Sequence, residues 1–345
     1  MRGLTISAHG GLDRIEVRDD LPMPSLSSNT QVRVRVLAAA LNHLDLFVVG
    51  GLPNVRITPP WIIGSDAMGI VDQVGDGVTD VAVGDTVLIN PGLSDRTCSY
   101  CLAGEQPLCP HFSILGEQLP GTMAEYLVVP AVNVRCVAPD TDPAEGAAFT
   151  LSTLTAWRML TSRARLLAGE HVLIWGIGGG VALACLQIAK LLGAQVTVTS
   201  GSDAKLERAV ALGADATINH RGIDVGREMR TRTAKRGVDV VVDTVGEATW
   251  SQSLGALGRR GRLVTCGGTS GPMVTTDVRR LFWNQWSILG STMGSESEFC
   301  AIVAHFNAGR LRPPVDSVYP LADGRDAFER MQNREQFGKL VVRVA

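Results

Sequence analysis

The hydrophobic and polar positions follow two different patterns along the chain. In the first part, Val32, Val34 and Val36 alternate with polar residues, which is typical of a strand with one buried face. Short apolar runs separated by Gly-Asp pairs follow over residues 69–90. Runs of period two with a turn every few residues predict a small β-rich barrel or sandwich.

From about residue 153 the pattern predicts strands that alternate with helices. The predicted strands lie near residues 171–175, 195–199, 216–219, 239–243, 262–266 and 287–290, and the predicted helices between them cover residues 181–192, 203–212 and 224–236. This alternation favours an α/β fold with a doubly wound parallel sheet. A helix at 298–308 and a strand at 340–344 are predicted to return to the first domain. We therefore predict one domain over residues 1–152 and 296–345 and a nucleotide-binding domain over residues 153–295.

Charge and hydropathy exclude several kinds of partner. The formal net charge of the chain is −2, so no nucleic acid is expected to bind. Residues 172–189 carry no charge and are almost long enough to cross a bilayer. Glycines cluster in the middle of this run, which favours a strand, a turn and a helix, so no membrane partner is expected. The N-terminal sequence has no signal-peptide pattern, and the expected location is cytoplasmic.

A glycine cluster lies between the first predicted strand and helix of the second domain. Its members are Gly176, Gly178, Gly179 and Gly180, and the helix continues from Val181. Glycines let backbone N–H groups approach a pyrophosphate, which the positive end of the helix also attracts. The cluster predicts a dinucleotide site, with a purely structural tight turn as the alternative.

The end of the second predicted strand indicates which dinucleotide binds. An NAD site places Asp or Glu there to accept a hydrogen bond from the ribose 2′-hydroxyl. Here Asp203 comes later, as the N-cap or first turn of the next helix, so no carboxylate repels a 2′-phosphate. NADP(H) is therefore favoured over NAD. The residues expected near the phosphate are Ser200, Gly201, Ser202, Lys205 and His220, with Arg221 next to His220.

Three further segments follow the carboxyl ends of later predicted strands. That edge is where an open parallel sheet binds its ligand. We expect these segments to surround the nicotinamide half of the cofactor, although their glycines are equally consistent with simple turns. The candidate residues are Thr244, Val245, Gly267, Gly268, Leu289, Gly290 and Ser291.

A cysteine-rich loop has the spacing of a zinc site. Asp95, Cys98, Cys101 and Cys109 follow the pattern D-x2-C-x2-C-x7-C. Three thiolates with a carboxylate can complete a closed, four-coordinate structural zinc site, which leaves no position open for a substrate. We expect one structural zinc ion here. His111 is the alternative fourth ligand, and the other alternative is a site that has lost its metal.

Several segments together resemble the medium-chain dehydrogenase/reductase superfamily, which contains zinc alcohol dehydrogenases and quinone oxidoreductases. Besides the cysteine loop and the glycine turn, they are ALNHLDLFVVGGLP (40–53), IIGSDAMGIVDQVG (62–75), FTLSTLTAWRML (149–160) and FGKLVVRV (337–344). The resemblance implies a β-rich GroES-like barrel as the catalytic domain, a Rossmann domain for the cofactor, and catalysis in the cleft between them. It also implies a homodimer or homotetramer.

The chain departs from the zinc enzymes of the family at the catalytic metal. The positions of the three metal ligands correspond to Asn42, Ser65 and Leu151, and the family's Gly-His-Glu motif is Gly64-Ser65-Asp66. Amide, hydroxyl and aliphatic side chains are poor zinc ligands or none, so we expect no catalytic zinc. A metal site rearranged around His43 and Asp66 is the alternative.

Without that metal, the easier reaction is NADPH-dependent reduction of a C=C bond conjugated to a carbonyl. The negative charge then spreads over an enolate, which neutral donors can stabilise. We predict that Asn42 orients the nicotinamide or the substrate carbonyl, with Ser65 as a second donor, and that Asp45 orients His43 as a proton donor. His43 and Asp45 have purely structural roles as alternatives. Phe47, Leu52, Trp61, Phe282 and Trp286 favour a small hydrophobic substrate.

Two other functions remain open from the sequence. One is an alcohol dehydrogenase or ketone reductase with an unusual metal site. The other is a nucleotide-binding or redox-sensing module without enzymatic activity, because a fold alone does not determine a function.

Overall fold

The computed structural model describes residues 1–53 and 55–345, which form two compact units. The terminal unit contains Met1–Leu154 and Gly294–Ala345, and the central unit contains Thr155–Met293.

The strands of the described chain are β1 (Gly3–Ile6), β2 (Ile15–Arg18), β3 (Gln31–Ala40), β4 (Trp61–Ile62), β5 (Asp66–Val74), β6 (Thr86–Ile89), β7 (Gly92–Leu93), β8 (Ser113–Ile114), β9 (Tyr126–Pro130), β10 (Val134–Cys136), β11 (His171–Ile174), β12 (Gln195–Ser200), β13 (Ala216–Asn219), β14 (Val238–Val242), β15 (Leu257–Thr265), β16 (Ser287–Gly290), β17 (Val315–Pro320) and β18 (Lys339–Arg343). The α-helices are α1 (His43–Gly50), α2 (Ser99–Leu102), α3 (Pro143–Trp157), α4 (Gly180–Leu191), α5 (Asp203–Ala211), α6 (Val225–Arg232), α7 (Trp250–Ala256), α8 (Val278–Asn284), α9 (Glu296–Asn307) and α10 (Gly324–Gln332).

The terminal unit is built around one sheet in the order β10-β6-β5-β3-β18-β17, with β9 also paired to β3. The predicted alternation in β3 is present, since Val32, Val34 and Val36 are fully buried between partly exposed neighbours. Their side chains join a core that extends to Phe328 of α10 and Leu340 of β18. The C-terminal elements α10 and β18 therefore belong to the same hydrophobic core as the strand β3.

The central unit contains a six-stranded parallel sheet in the order β13-β12-β11-β14-β15-β16. This is the doubly wound order in which the strand sequence reverses beside the first strand. The predicted α/β fold class, with a Rossmann-like sheet and a GroES-like β-rich domain, is confirmed. No helix in the described chain is both long enough and apolar enough to span a membrane.

Two predicted boundaries in the central unit were wrong. The helix α6 ends at Arg232, four residues before the predicted end at residue 236, and Ala234 and Lys235 then adopt positive φ angles of 48° and 68°. Left-handed backbone of this kind cannot continue a right-handed helix. The strand β15 begins at Leu257, five residues before the predicted start at residue 262.

The strand register of the terminal unit brings three segments together. Ala40, the last residue of β3, lies opposite Asp66 of β5 on one side and Val341 of β18 on the other. Asn42 follows two residues after Ala40, and Lys339 precedes Val341 by two residues. Neighbouring strands are about 4.8 Å apart, so side chains at these strand ends are within contact distance.

Candidate active site and cofactor site

Asp66 is at the centre of a buried polar cluster that we call the polar centre, formed by Asn42, Asp66, Thr150 and Lys339. Its carboxylate is fully buried and accepts hydrogen bonds from the Thr150 hydroxyl and, at 2.6 Å, from the backbone N–H of Leu151. The other carboxylate oxygen accepts from Asn42 Nδ2 at 2.9 Å and from Lys339 Nζ at 2.8 Å. Every donor that a buried carboxylate needs is therefore supplied by the chain itself.

Lys339 is a buried cation, with 4% of its side chain exposed. Its ammonium donates to Asp66 and, at 2.6 Å, to Asn42 Oδ1. Gly338, which precedes the lysine, has a φ of +120°, and a Cβ there would lie 2.4 Å from the Pro314 carbonyl oxygen. A residue with a side chain would clash with that carbonyl, so the turn requires glycine.

These contacts fix the orientation of the Asn42 amide. Oδ1 accepts from an ammonium and Nδ2 donates to a carboxylate, so the reversed orientation would oppose both charges. Nδ2 carries two hydrogens, and Asp66 accepts one of them. The second N–H remains a potential donor to a substrate.

Asp45 lies next to the polar centre in the first turn of α1. Its carboxylate accepts from the backbone N–H of Asn42 at 2.7 Å, which caps the helix. Burial raises the pKa of Asp45 to about 7, against the hydrogen bond from Asn42 and the charge of Lys339, which both lower it. A substantial fraction of this carboxyl is therefore protonated at neutral pH.

Ser65 and His43, which were also predicted as site residues, are not members of the polar centre. The Ser65 hydroxyl is buried and donates to the Leu115 carbonyl oxygen at 2.7 Å. His43 is half-buried, and its pKa is lowered by burial and then by the charges of Lys339 and Arg334, so its ring is neutral at pH 7. Among the described residues, no hydrogen bond joins Asp45 to His43. They are two residues apart on one helix, a spacing that points side chains in different directions.

Two of the aromatic residues expected around the substrate belong to cores instead. Trp61 and Trp286 are each 7% exposed, and their indole N–H groups donate to the carbonyls of Gly116 and Gly258. Phe47 and Phe282 are 42% and 64% exposed, and Leu52 packs at the edge of the core of the terminal unit. The sequence could not separate these cases, because large apolar residues in loops occur in both environments.

The cysteine loop gathers the four predicted ligands. One ligand atom each from Asp95, Cys98, Cys101 and Cys109 lies within 4.8 Å of all the others. A tetrahedral zinc with bonds of about 2.3 Å to sulfur needs ligand atoms about 3.8 Å apart, so the arrangement fits this ion. In the part of the chain that the structure describes, no other group of three or more His, Cys, Asp or Glu residues is gathered in this way.

The carboxylate of Asp95 is oriented by its neighbours. Oδ1 accepts from the backbone N–H groups of Cys98 and Thr97 at 3.0 and 2.9 Å, and Oδ2 lies 2.9 Å from His111 Nδ1. These hydrogen bonds, that from Cys98 first, hold the pKa of Asp95 far below its usual range. His111 is thus placed as a partner of Asp95, outside the group of four ligand atoms. A histidine beside a ligating carboxylate would fix its orientation.

The glycine cluster forms the turn between β11 and α4. Gly176 and Gly178 adopt φ angles of +68° and +128°, Gly179 caps α4, and Gly180 and Val181 form its first turn. A Cβ at Gly179 would meet no atom within 4 Å, so this side of the turn is open. The twelve-residue helix has no side-chain cap at its N-terminus. Free N–H groups, open space and the helix dipole together suit a pyrophosphate.

The residues predicted near the 2′-phosphate lie together after β12 and β13. A Cβ at Gly201 would lie 3.3 Å from both His220 Nε2 and Arg221 Nε, and Ser200 accepts from the His220 backbone N–H. Ser202 caps α5, the helix that contains Lys205. Asp203 accepts from Asn219 Nδ2 at 2.6 Å, so this carboxylate is engaged inside the chain.

The later loops lie along the same edge of the sheet. Val245 Cγ2 would be 3.7 Å from a Cβ at Gly176, which brings the loop after β14 to the glycine turn. Thr244 and Val245 accept hydrogen bonds from the loop after β15, which contains Gly267 and Gly268. Leu289 and Gly290 are the last residues of β16, and Ser291 donates its backbone N–H to Thr265. All of the predicted cofactor residues thus lie at the carboxyl edge of the sheet.

Comparisons with known proteins agree with this architecture. The family model "Alcohol dehydrogenase GroES-like domain" matches residues 28–139, and "Zinc-binding dehydrogenase" matches residues 180–308. An NAD-dependent alcohol dehydrogenase of Sulfolobus acidocaldarius is 30% identical, with 100% of both chains covered. The chain belongs to the medium-chain dehydrogenase/reductase superfamily.

Other similar proteins of the superfamily carry different names. The quinone oxidoreductase of Homo sapiens is 26% identical over 96% of this chain and 94% of that protein. A crystal structure named for an NAD-dependent alcohol dehydrogenase is 42% identical, with a TM-score of 0.96 and 100% of both chains covered. The chain is accordingly an oxidoreductase of this medium-chain superfamily, which uses pyridine nucleotides.

Reasoning from the sequence missed two residues of the polar centre, Lys339 and Thr150. Lys339 opens a strand whose next three residues are fully buried, and a lysine at such a position needs a buried partner. That signal was available in the segment FGKLVVRV. Its partner Asp66 is 273 residues away along the chain, and no local pattern identifies a partner at that separation.

We expect the Asp66→Asn substitution to destabilise the terminal unit. It leaves the Lys339 ammonium buried without its counter-charge, a defect that typically costs about 3–5 kcal/mol. Urea denaturation of the purified protein measures this loss. The matched control is Asp215→Asn, which neutralises the carboxylate of the half-exposed Lys190–Asp215 pair and should cost less than about 1 kcal/mol. Equal losses in the two variants would contradict the assignment.

Proposed function

We propose that this medium-chain oxidoreductase uses NADPH to reduce a C=C bond conjugated to a carbonyl, in an enone, a quinone or an enoyl-type substrate. The observation that carries the proposal is the polar centre. At the positions where zinc enzymes of the family bind their catalytic metal, the side chains are an amide, a hydroxyl and a leucine. A lysine–aspartate ion pair organises the surroundings.

The donors in this centre suit an enolate better than an alkoxide. Oxidation of a simple alcohol develops charge on a single oxygen, which a metal stabilises as a Lewis acid. Addition of hydride to a conjugated alkene spreads the charge over an enolate. The second N–H of Asn42 supplies one neutral donor for its oxygen, and such a donor is worth roughly 3 kcal/mol in the transition state.

The enolate also needs a proton, and two neighbouring groups can hold one. Asp45 has a pKa of about 7 and is partly protonated at neutral pH, but it is 1% exposed. His43 is more accessible, and its lowered pKa makes it a neutral imidazole at pH 7. We assign the proton transfer to His43, whose neutral ring can release one ring proton as it takes up another, with Asp45 as the alternative. The Ser65 hydroxyl, expected as a second donor, gives its only hydrogen to the Leu115 carbonyl oxygen. Bound NADPH would supply the hydride.

The function is tested by screening NADPH oxidation with enones, quinones, enoyl thioesters, simple ketones and, in reverse, simple alcohols. We expect turnover of the conjugated substrates, with the saturated carbonyl compound identified by mass spectrometry. The Asn42→Leu variant should lose about 10²–10³-fold in kcat, because it removes the oxyanion donor, and circular dichroism of the purified variant checks that it is folded. Turnover of simple ketones and alcohols alone would instead establish an alcohol dehydrogenase. Absence of turnover with every substrate would favour a nucleotide-binding module.

The preference for NADP(H) is proposed from the turn after β13. Arg221 and His220 both face Gly201, and Asp203 is held by Asn219. Burial and then the charge of Arg221 lower the pKa of His220, so Arg221 provides the positive charge at neutral pH. Two of the similar proteins are named as NAD-dependent, so the cofactor must be tested directly.

We expect Arg221→Ala to weaken NADPH binding about 10–150-fold and to leave NADH binding unchanged, because a charged hydrogen bond to phosphate contributes about 1.5–3 kcal/mol. Titrations that follow nicotinamide fluorescence measure both dissociation constants. Arg227→Ala, a change of another surface arginine in the central unit, is the control and should alter neither. Wild-type protein that binds NADH more tightly than NADPH would refute the assignment.

We also propose that the cysteine loop binds one structural zinc ion through Asp95, Cys98, Cys101 and Cys109. The ion would hold the loop together, and a closed set of four ligands leaves no position for a substrate. The homodimer or homotetramer and the cytoplasmic location stay predictions from the sequence.

Metal analysis of the purified protein should find one zinc per chain. His111→Ala removes only the partner of a ligand and should lower zinc affinity about 10–100-fold. Asp95→Ala removes a ligand itself and should lower zinc affinity more. Cys136→Ser, a change of an exposed cysteine outside the loop, is the control and should retain the zinc. A larger loss in His111→Ala than in Asp95→Ala would make His111 the fourth ligand.

A further inference from the structure

Lys339 has two partners in the polar centre, and only one of them carries a charge. Its ammonium has three N–H donors, and one of them donates to the Asp66 carboxylate. Its ammonium also donates to Asn42 Oδ1 at 2.6 Å, a shorter contact than the 2.8 Å to Asp66. Asn42 is the residue that our proposed function places at the substrate oxygen.

The contact changes the chemistry of the amide. A cation on the carbonyl oxygen of an amide draws electron density from its nitrogen, which makes the N–H groups stronger donors. The effect is large in a buried site, because little water is present to screen the ammonium. Asp66 accepts the first N–H of Nδ2 and thereby fixes the direction of the second.

We propose that Lys339 is a positioning residue that acts through Asn42: its ammonium orients and polarises the amide whose free N–H stabilises the developing enolate oxygen. The side chain of the first residue of β18 then supplies the electrostatic stabilisation that a metal supplies in the zinc enzymes. This inference rests on the proposed function, because it concerns the oxygen of a conjugated carbonyl.

The surroundings of Lys339 support a role beyond structure. The ammonium lowers the pKa of both Asp45 and His43, so its charge acts on each candidate for proton transfer. Asn42, Asp45 and His43 are consecutive or nearly consecutive at the start of α1. One cation therefore acts on all of the polar groups that the beginning of this helix presents.

A double-mutant cycle tests whether Lys339 acts through Asn42. Single-turnover hydride transfer is measured for wild type, Lys339→Met, Asn42→Leu and the double variant. We expect Lys339→Met to slow the step about 10–100-fold when Asn42 is present, and by less than about twofold when Leu replaces it. Equal factors in the two backgrounds would overturn the proposal and leave Lys339 a purely structural residue.

Two further variants guard against misfolding and general charge effects. Lys339→Gln keeps an N–H donor for Asn42 Oδ1 without the charge, and it should slow the step in the same way as Lys339→Met. It also serves as the test variant if Lys339→Met fails to fold. Lys190→Met removes a lysine from the half-exposed pair with Asp215 in the central unit. It should not change the rate of hydride transfer, either with Asn42 or with Leu at position 42.

A spectroscopic measurement separates this proposal from the proposed function. The chain contains nine asparagines, so selective ¹⁵N labelling gives a simple side-chain amide spectrum, in which Asn42→Leu identifies the signal of Asn42. The Asn42 protons should move upfield in Lys339→Gln when the polarising charge is lost, without any substrate present. An unchanged signal would refute the polarisation. A shifted signal in a protein that does not turn over enones would support the polarisation of Asn42 by Lys339 and refute the proposed reaction.

Discussion

The buried carboxylate of Asp66 is the constraint on which the terminal unit depends. Four donors from separate parts of the sequence converge on it: the amide of Asn42, the hydroxyl of Thr150, the backbone N–H of Leu151 and the ammonium of Lys339. A buried charge is tolerated only when its hydrogen bonds are complete. The return of the chain into the sheet as β18 is therefore also a condition for forming the site, because Lys339 arrives with that strand.

The protein has two clusters of side chains that suit a positive charge, and the groups that surround the charge differ between them. The cysteine loop offers three thiol groups and a carboxylate within 4.8 Å of one another, which suits a divalent ion such as zinc. The polar centre offers one carboxylate and one amide around an ammonium that is part of the chain. A second cation beside that ammonium would be repelled at short range. The absence of a catalytic zinc that we expect from Asn42 and Ser65 is thus consistent with the presence of Lys339.

The sequence predicted the fold class because the relevant signals are local. The alternation at Val32, Val34 and Val36 and the glycines from Gly176 to Gly180 are each contained in a few residues, and each reflects a rule about a single strand or turn. The residues predicted for the cofactor lie at one edge of the parallel sheet for the same reason, although their function stays a proposal.

The contacts within the polar centre could not be predicted in this way. Asn42 and Lys339 are separated by 297 positions, and their contact depends on the register of β3 against β18. The prediction that Trp61 and Trp286 surround the substrate was wrong for a related reason, because the burial of a residue depends on which distant parts of the chain pack around it. The partnership expected between Asp45 and His43 failed because helix geometry separates neighbours two positions apart.

A fixed ammonium and a bound metal differ in what they can stabilise. A metal binds the reacting oxygen directly, whereas Lys339 reaches it only through the amide of Asn42 in the arrangement we propose. Stabilisation through an amide is weaker, so it suits a transition state whose charge is already delocalised. The same chemistry that makes Asn42 a poor zinc ligand makes it a suitable donor for an enolate. The reaction class that we propose therefore rests on the chemistry of Asn42 and its partners, and the superfamily alone would not specify it.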